Sequence, residues 1–193
     1  MKIKIEDKDY KGKNILDADL ETVSKIFKHI NNNENIEDIN FHILKYLTNI
    51  EEDILDIADI EDMHNLQLKL TDFKTDKEEL EVYNSFTLNK VKYKTLKTFN
   101  NYSDIKLTRY QYKRIKEEIV KEEGNIHTLI TYILANFFTE NTEGTYKEKI
   151  ENGFEDRMKS FKKLKFKYAL PFLIKISESI STHLKTSLES FKK

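Results

Sequence analysis

The stretch NIHTLITYILANFF, Asn125–Phe138, decides the fold. It is fourteen residues without a formal charge, in a chain where 35% of residues are Asp, Glu, Lys or Arg. Apolar side chains recur on nearly every face of a 3.6-residue period. The segment therefore reads as a helix from Ile126 to Phe138 at the centre of a core, not as an amphipathic surface helix. It is too short to cross a bilayer and carries His127, Thr128 and Asn136.

The sequence on either side reads as material gathered around that helix. Leu107–Val120 has helical spacing, with Thr108 as its cap and Tyr112, Ile115 and Ile119 on one side. Gly124 fits the left-handed position that ends it. Phe86–Phe99 alternates about Asn89-Lys90, a pair suited to a two-residue hairpin turn. Downstream lie a polar loop at 139–145, one or two short helices within Tyr146–Phe161, and the basic alternation KKLKFKY, Lys162–Tyr168. A long helix then runs from about Ala169 to Phe191, with Pro171 acceptable in its first turn. Leu173, Ile176, Ile180, Leu184, Leu188 and Phe191 form one stripe along it.

The first part of the chain repeats the theme. Lys2–Lys11 alternates as a short hairpin. Asp17 or Asp19 caps a helix carrying Leu20, Val23, Phe27 and Ile30, which the run Asn31-Asn32-Asn33-Glu34-Asn35 breaks. Ile36–Ile50 is a second helix. Acidic Glu51–His64 keeps helical spacing, and Asn65–Phe73 alternates as a strand through Leu66, Leu68 and Leu70. Thr75 or Asp76 is a further candidate cap. Shifted by 83 residues, Ile3, Ile5, Tyr10 and Lys11 meet Phe86, Leu88, Tyr93 and Lys94, a sign of a duplicated hairpin–helix unit. The expected fold is α+β and mostly α-helical, in two hairpin-plus-helices units, residues 1–84 and 85–193.

Composition narrows the class. Four Gly and one Pro among 193 residues argue against a turn-rich β-sandwich. Absence of Cys removes disulfides, thiolate metal sites and Cys nucleophiles. The charged start MKIKIEDKDY is not a secretory signal, so a soluble intracellular protein is expected. The net charge of −1 hides a split. Residues 1–85 hold 21 acidic and 11 basic side chains, and residues 86–193 hold 13 and 22. The two parts face each other, or the basic part faces an acidic partner.

Motifs for chemistry are sparse. Glu51, Glu52, Asp53, Asp56, Asp59, Glu61 and Asp62 are distributed around a helix without the Gly turn of a Ca²⁺ loop, and read as a solvated acidic face or a docking surface. His29, His42, His64, His127 and His183 form no close ligand pair in sequence. Asp156, Arg157 and Glu151 read as surface charges. No phosphate-binding Gly loop or nucleophile elbow is present. No catalytic residue, metal ligand or cofactor is assigned. The basic patch Lys159, Lys162, Lys163, Lys165 and Lys167 lies among Phe161, Phe166 and Tyr168, a pattern that also suits phosphates and stacked bases.

The segments FTLNKVKY, Leu107–Tyr112, Ile126–Ile130, Gly144–Glu148 and Tyr168–Leu173 together resemble a family of small tailed-bacteriophage proteins. These are tail or baseplate assembly factors or minor virion components. The opening KIKIEDKDY followed by a helix is similar to the start of tail assembly chaperones. Ala135-Asn136-Phe137-Phe138 departs from that pattern, where a Pro commonly ends the apolar helix. The resemblance implies a non-enzymatic tail or baseplate assembly chaperone acting by protein–protein contacts through Leu173, Ile176, Ile180, Leu184 and Leu188. Its partners would be other phage structural or tail proteins, or further copies of itself. It would work in the host cytoplasm or stay in the virion. Alternatives are a virion connector or ring subunit, and a nucleic-acid binder using the basic tract.

Overall fold

Two hairpins of identical register open the two parts of the chain. Strands β1 (Lys2–Ile5) and β2 (Lys8–Lys11) pair Ile3 with Tyr10. Strands β3 (Ser85–Leu88) and β4 (Val91–Thr95) pair Phe86 with Tyr93. In the second, Asn89 (φ 51°) and Lys90 (φ 67°) both take the left-handed conformation of a two-residue turn. Each hairpin leads into a 3₁₀ turn, Ile15–Asp17 or Tyr102–Asp104, and then into a helix with a side-chain cap. The computed structural model describes residues 2–5, 8–32, 34–72, 80–122, 126–141 and 143–190. Side chains are described from Tyr10 onward except at 126–128, 180 and 182–190.

Helix α1 (Leu20–Asn31) is capped by Asp19, whose carboxylate accepts from Thr22 N at 2.8 Å. Asn35 caps α2 (Ile36–Leu47) in the same way through Asp38 N. The acidic region forms two helices rather than one, α3 (Glu52–Ile57) and α4 (Ile60–Thr71), because Asp59 turns out of the first to cap the second. The strand expected at Asn65–Phe73 is not formed. Residues 65–71 complete α4, with Met63 and Leu70 buried and Leu68 half exposed. Leu66 and Leu70 share a helical face at a spacing of four, and over five residues that pattern imitates alternation.

Thr108 caps α5 (Arg109–Lys121) in a reciprocal capping box with Gln111. Helix α6 (Ile126–Phe137) is the apolar segment. Leu129, Ile130, Ile133, Leu134, Ala135 and Phe137 are all buried, as the all-round pattern requires. The helix ends one residue early. Phe138 and Thr139 become strand β5, which pairs with Thr95 and Lys94 of β4. Two short helices, α7 (Tyr146–Glu151) and α8 (Phe154–Phe161), lead to a 3₁₀ turn at Phe166–Tyr168 and to α9 (Leu170–Ser190). At about 1.5 Å per residue, α9 is roughly 31 Å long. The molecule is α+β and mostly helical. Among the described residues no helix is long and apolar enough to cross a membrane. The expected caps Thr75 and Asp76, the stop at Gly124 and the stripe residue Phe191 lie outside the described residues.

Buried side chains form one cluster that runs across residue 84. Its centre is aromatic: Phe137 and Phe172 lie 4.6 Å apart, and Phe86 meets Phe138 at 4.8 Å and Phe161 at 5.4 Å. The first part joins through α1, where Phe27 meets Phe166 edge-on at 6.1 Å. The first amide groups of α1 lack partners within the helix. Leu20 N and Glu21 N donate instead to Leu164 O (2.9 Å) and Lys162 O (3.0 Å), and Phe166 N returns a bond to Ala18 O at 2.8 Å. The KKLKFKY segment thus lies against the head of α1, with Leu164 and Phe166 buried and Lys163 and Lys165 outward.

Candidate functional site

The basic tract is the first candidate, and most of its charge is matched inside the chain. Lys163 Nζ reaches Glu21 at 2.8 Å. Asp17 Oδ1 takes Lys165 at 3.1 Å and Lys167 at 3.5 Å. The Lys165 hydrogen bond holds the Asp17 carboxyl below its ordinary range, and Lys163 does the same for Glu21. Lys159 and Lys162 are exposed. Two of the three rings a nucleic acid would stack on are buried, Phe161 and Phe166, and half-buried Tyr168 packs edge-on against Tyr83 at 4.6 Å. Base stacking needs an exposed ring face, so the aromatic half of that expectation is corrected.

The stripe on α9 divides. Ile176 is buried in the chain's own core, which corrects its assignment to a partner surface, and Leu173 is partly buried beside it. The side chains of Ile180, Leu184 and Leu188 lie outside those described.

Arg157 is not the surface charge it resembles. Its side chain is fully buried. The guanidinium donates to Ile150 O and Asn152 O and to Glu140 Oε2, the last at 3.2 Å. Those two carbonyls are at the C-terminal end of α7, where backbone acceptors lack helical donors. A fixed cation there satisfies them and meets the negative end of the helix dipole. Burial pulls the guanidinium down from its ordinary value, and Glu140 counters that pull. Gly153, at φ 71°, makes the arrangement possible, since a Cβ there would lie 2.7 Å from Glu140 Oε1.

A second surface lies on α3 and α4. Ile57 is 74% exposed and Ile60 55% exposed, on either side of the turn between the helices. Leu68 follows at 50%, two helical turns along the exposed side of α4 from Ile60. Glu51, Asp53, Asp56, Glu61 and Asp62 surround them, all exposed and none ion-paired among the described residues. Among the described residues only Glu52 of this group meets a cation, Lys45 at 2.7 Å.

The third candidate is a constellation that sequence spacing does not reveal. His29 is in the last turn of α1, Glu34 in the link, and His42 on α2. When α2 folds back along α1, the two imidazoles stack, with centroids 3.5 Å apart and planes 17° from parallel. Both present a nitrogen to the same carboxylate: His29 Nδ1 at 2.8 Å and His42 Nε2 at 3.5 Å. The other nitrogen of His29 lies 3.5 Å from Tyr46 Oη. Nδ1 of His42 is buried without a hydrogen-bond partner. Burial, then the neighbouring His29, lowers the pKa of His42 from its ordinary value. Sequence spacing gave no signal for it, because His42 stands in the middle of α2 and meets His29 only when the two helices pack. His127 and His183 lie outside the described side chains, and His64 stands apart, beside Asn40 at 3.5 Å.

Compared with known protein families, with characterised proteins and with solved structures, the chain has no match.

Proposed function

We propose that this protein is a non-enzymatic assembly factor of a tailed bacteriophage, a tail or baseplate chaperone that acts by contact with another structural protein. The observation that carries this reading is the acidic, aliphatic surface of α3 and α4. Covering a large aliphatic side chain contributes about 1.5–3 kcal/mol, and Ile57 and Ile60 are open to receive a partner. The exposed carboxylates around them, without an ion-pair partner among the described residues, select the occupant: a basic amphipathic segment of a tail protein, guided in by opposite charge. This replaces the basic tract as the proposed contact surface, because three of its five lysines already meet Asp17 and Glu21. The resemblance of Phe86–Phe191 to small tail proteins supplies the setting. Under the same reading, the sequence stripe Ile180, Leu184 and Leu188 is a second contact segment.

The test uses the purified tape-measure, tube and baseplate proteins of the same phage as bait. One of them should retain the wild-type chain and lose the I57D/I60D variant, whose melting temperature stays unchanged. Retention by none of them, or equal retention of both chains, sinks the proposal. A connector or ring subunit remains the second reading. Mass spectrometry of purified particles separates the two: a chaperone is absent, and a connector is present at a fixed copy number.

A further inference from the structure

We propose that His29, Glu34 and His42 form a binding site for a divalent transition-metal ion of the Zn²⁺ class, which joins the end of α1 to α2. The inference is independent of the assembly reading. Two imidazoles and one carboxylate are the donor set that borderline metals prefer over Ca²⁺ or Mg²⁺, which take oxygen ligands. The three donors come from three consecutive pieces of chain, and their ligand atoms all lie within 4.8 Å of one another.

Zn²⁺ held at about 2.0–2.1 Å by tetrahedral ligands needs donor atoms roughly 3.3 Å apart. His42 and Glu34 are already near that spacing at 3.5 Å, and His29 and Glu34 lie at 2.8 Å. With all donor atoms within 4.8 Å of one another, the widest pair closes by at most about 1.5 Å. The stacked rings must also splay, because a metal binds in the plane of an imidazole and these planes are nearly parallel. Rotation is open to both, since the two side chains are 21% and 25% exposed.

Ligation requires each imidazole to be free of a proton at the nitrogen that binds the metal, so its one N–H sits on the other nitrogen and any further proton is released. For His29 that nitrogen faces Tyr46 Oη, the kind of outer partner that fixes a ligand's tautomer. For His42 it is Nδ1, the buried atom with no partner in the metal-free arrangement. Three protein ligands leave a fourth position, open to solvent on this partly exposed edge, for water or for a donor from another molecule.

The experiment is calorimetric titration of the full chain with Zn²⁺, alongside His29→Asn, His42→Asn and Glu34→Gln. The expected result is one ion per chain, with affinity at least about tenfold weaker in each histidine variant and lost in the double variant. Co²⁺ substitution should give visible d–d absorption that the same variants abolish. Imidazole ¹H–¹⁵N spectra of the wild type provide a readout that needs no variant. One equivalent of Zn²⁺ should move the resonances of His29 and His42 and leave His64 in place. Saturable binding that survives in H29N/H42N, histidine resonances that do not move, or no binding at about 100 μM Zn²⁺ would each overturn the site.

Discussion

The acidic run Glu51–Asp62 and the basic tract Lys159–Lys167 are mirror images in the sequence, and the fold treats them oppositely. In the basic tract, Leu164 and Phe166 alternate with the lysines and are pulled into the core. That anchors the backbone against the head of α1 and brings Lys163, Lys165 and Lys167 to Glu21 and Asp17. The acidic run spans α3 and the first turn of α4, with Leu55 buried beneath it. Its carboxylates and two isoleucines stay outside. The difference lies in what faces each run: Asp17 and Glu21 stand opposite the basic tract, whereas among the described residues only Lys45 meets the acidic run.

That contrast can be pressed from its strongest consequence downward. The largest effect is expected at Arg157, the one fully buried charge among the described residues of the second part. Arg157→Met leaves the carbonyls of Ile150 and Asn152 and the Glu140 carboxylate without their donor. Glu140 is 30% exposed, so the loss comes mainly from the two orphaned carbonyls, about 1–3 kcal/mol each, and chemical denaturation should read their sum. Next comes Phe166→Ala at the seam, where a fully packed ring costs about 3–5 kcal/mol when truncated. Urea unfolding of this variant shows whether apolar packing holds the two parts together.

Neutralising the same seam electrostatically should do far less. The K163A/K165A/K167A variant should melt within about 2 °C of wild type, because exposed ion pairs contribute little. A larger drop than in Phe166→Ala would invert the ranking of the seam's forces. The pH response carries the same information and has a definite sign. The carboxyls of Asp17 and Glu21 are both held below their ordinary values of 3.8 and 4.5. Their contribution is therefore complete above those values and lost as pH falls toward the lowered ones. Melting curves should show no seam weakening down to about pH 5 and a small, salt-sensitive loss below pH 4.

Signals carried within a few residues were legible in the sequence. Asn89-Lys90 forms the expected turn, Asp19 and Thr108 cap the expected helices, and the uncharged segment is buried as α6. The error at Asn65–Phe73 came from a window too short to separate a period of 2 from one of 3.6. Only the exposure of Leu68 distinguishes them. The register match of the hairpins was half visible: two residue types coincide and two more positions are apolar in both, but the pairing of Ile3 with Tyr10 and of Phe86 with Tyr93 is a property of the folded backbone. The His29–Glu34–His42 cluster was illegible because its geometry depends on how α2 folds back along α1. Burial of Arg157 was equally hidden, since its acceptors become orphans only once α7 ends beside it.

The central claim is that this protein meets its partner through the acidic, aliphatic surface of α3 and α4 and not through the basic tract. The direct measurement compares the affinities of I57D/I60D and K163A/K165A/K167A for the same purified tail protein, in one titration series. Hot-spot residues typically contribute 2 kcal/mol or more, so I57D/I60D should bind at least about 30-fold more weakly while the lysine variant binds like wild type. Loss of binding in the lysine variant, with I57D/I60D unaffected, would contradict the account.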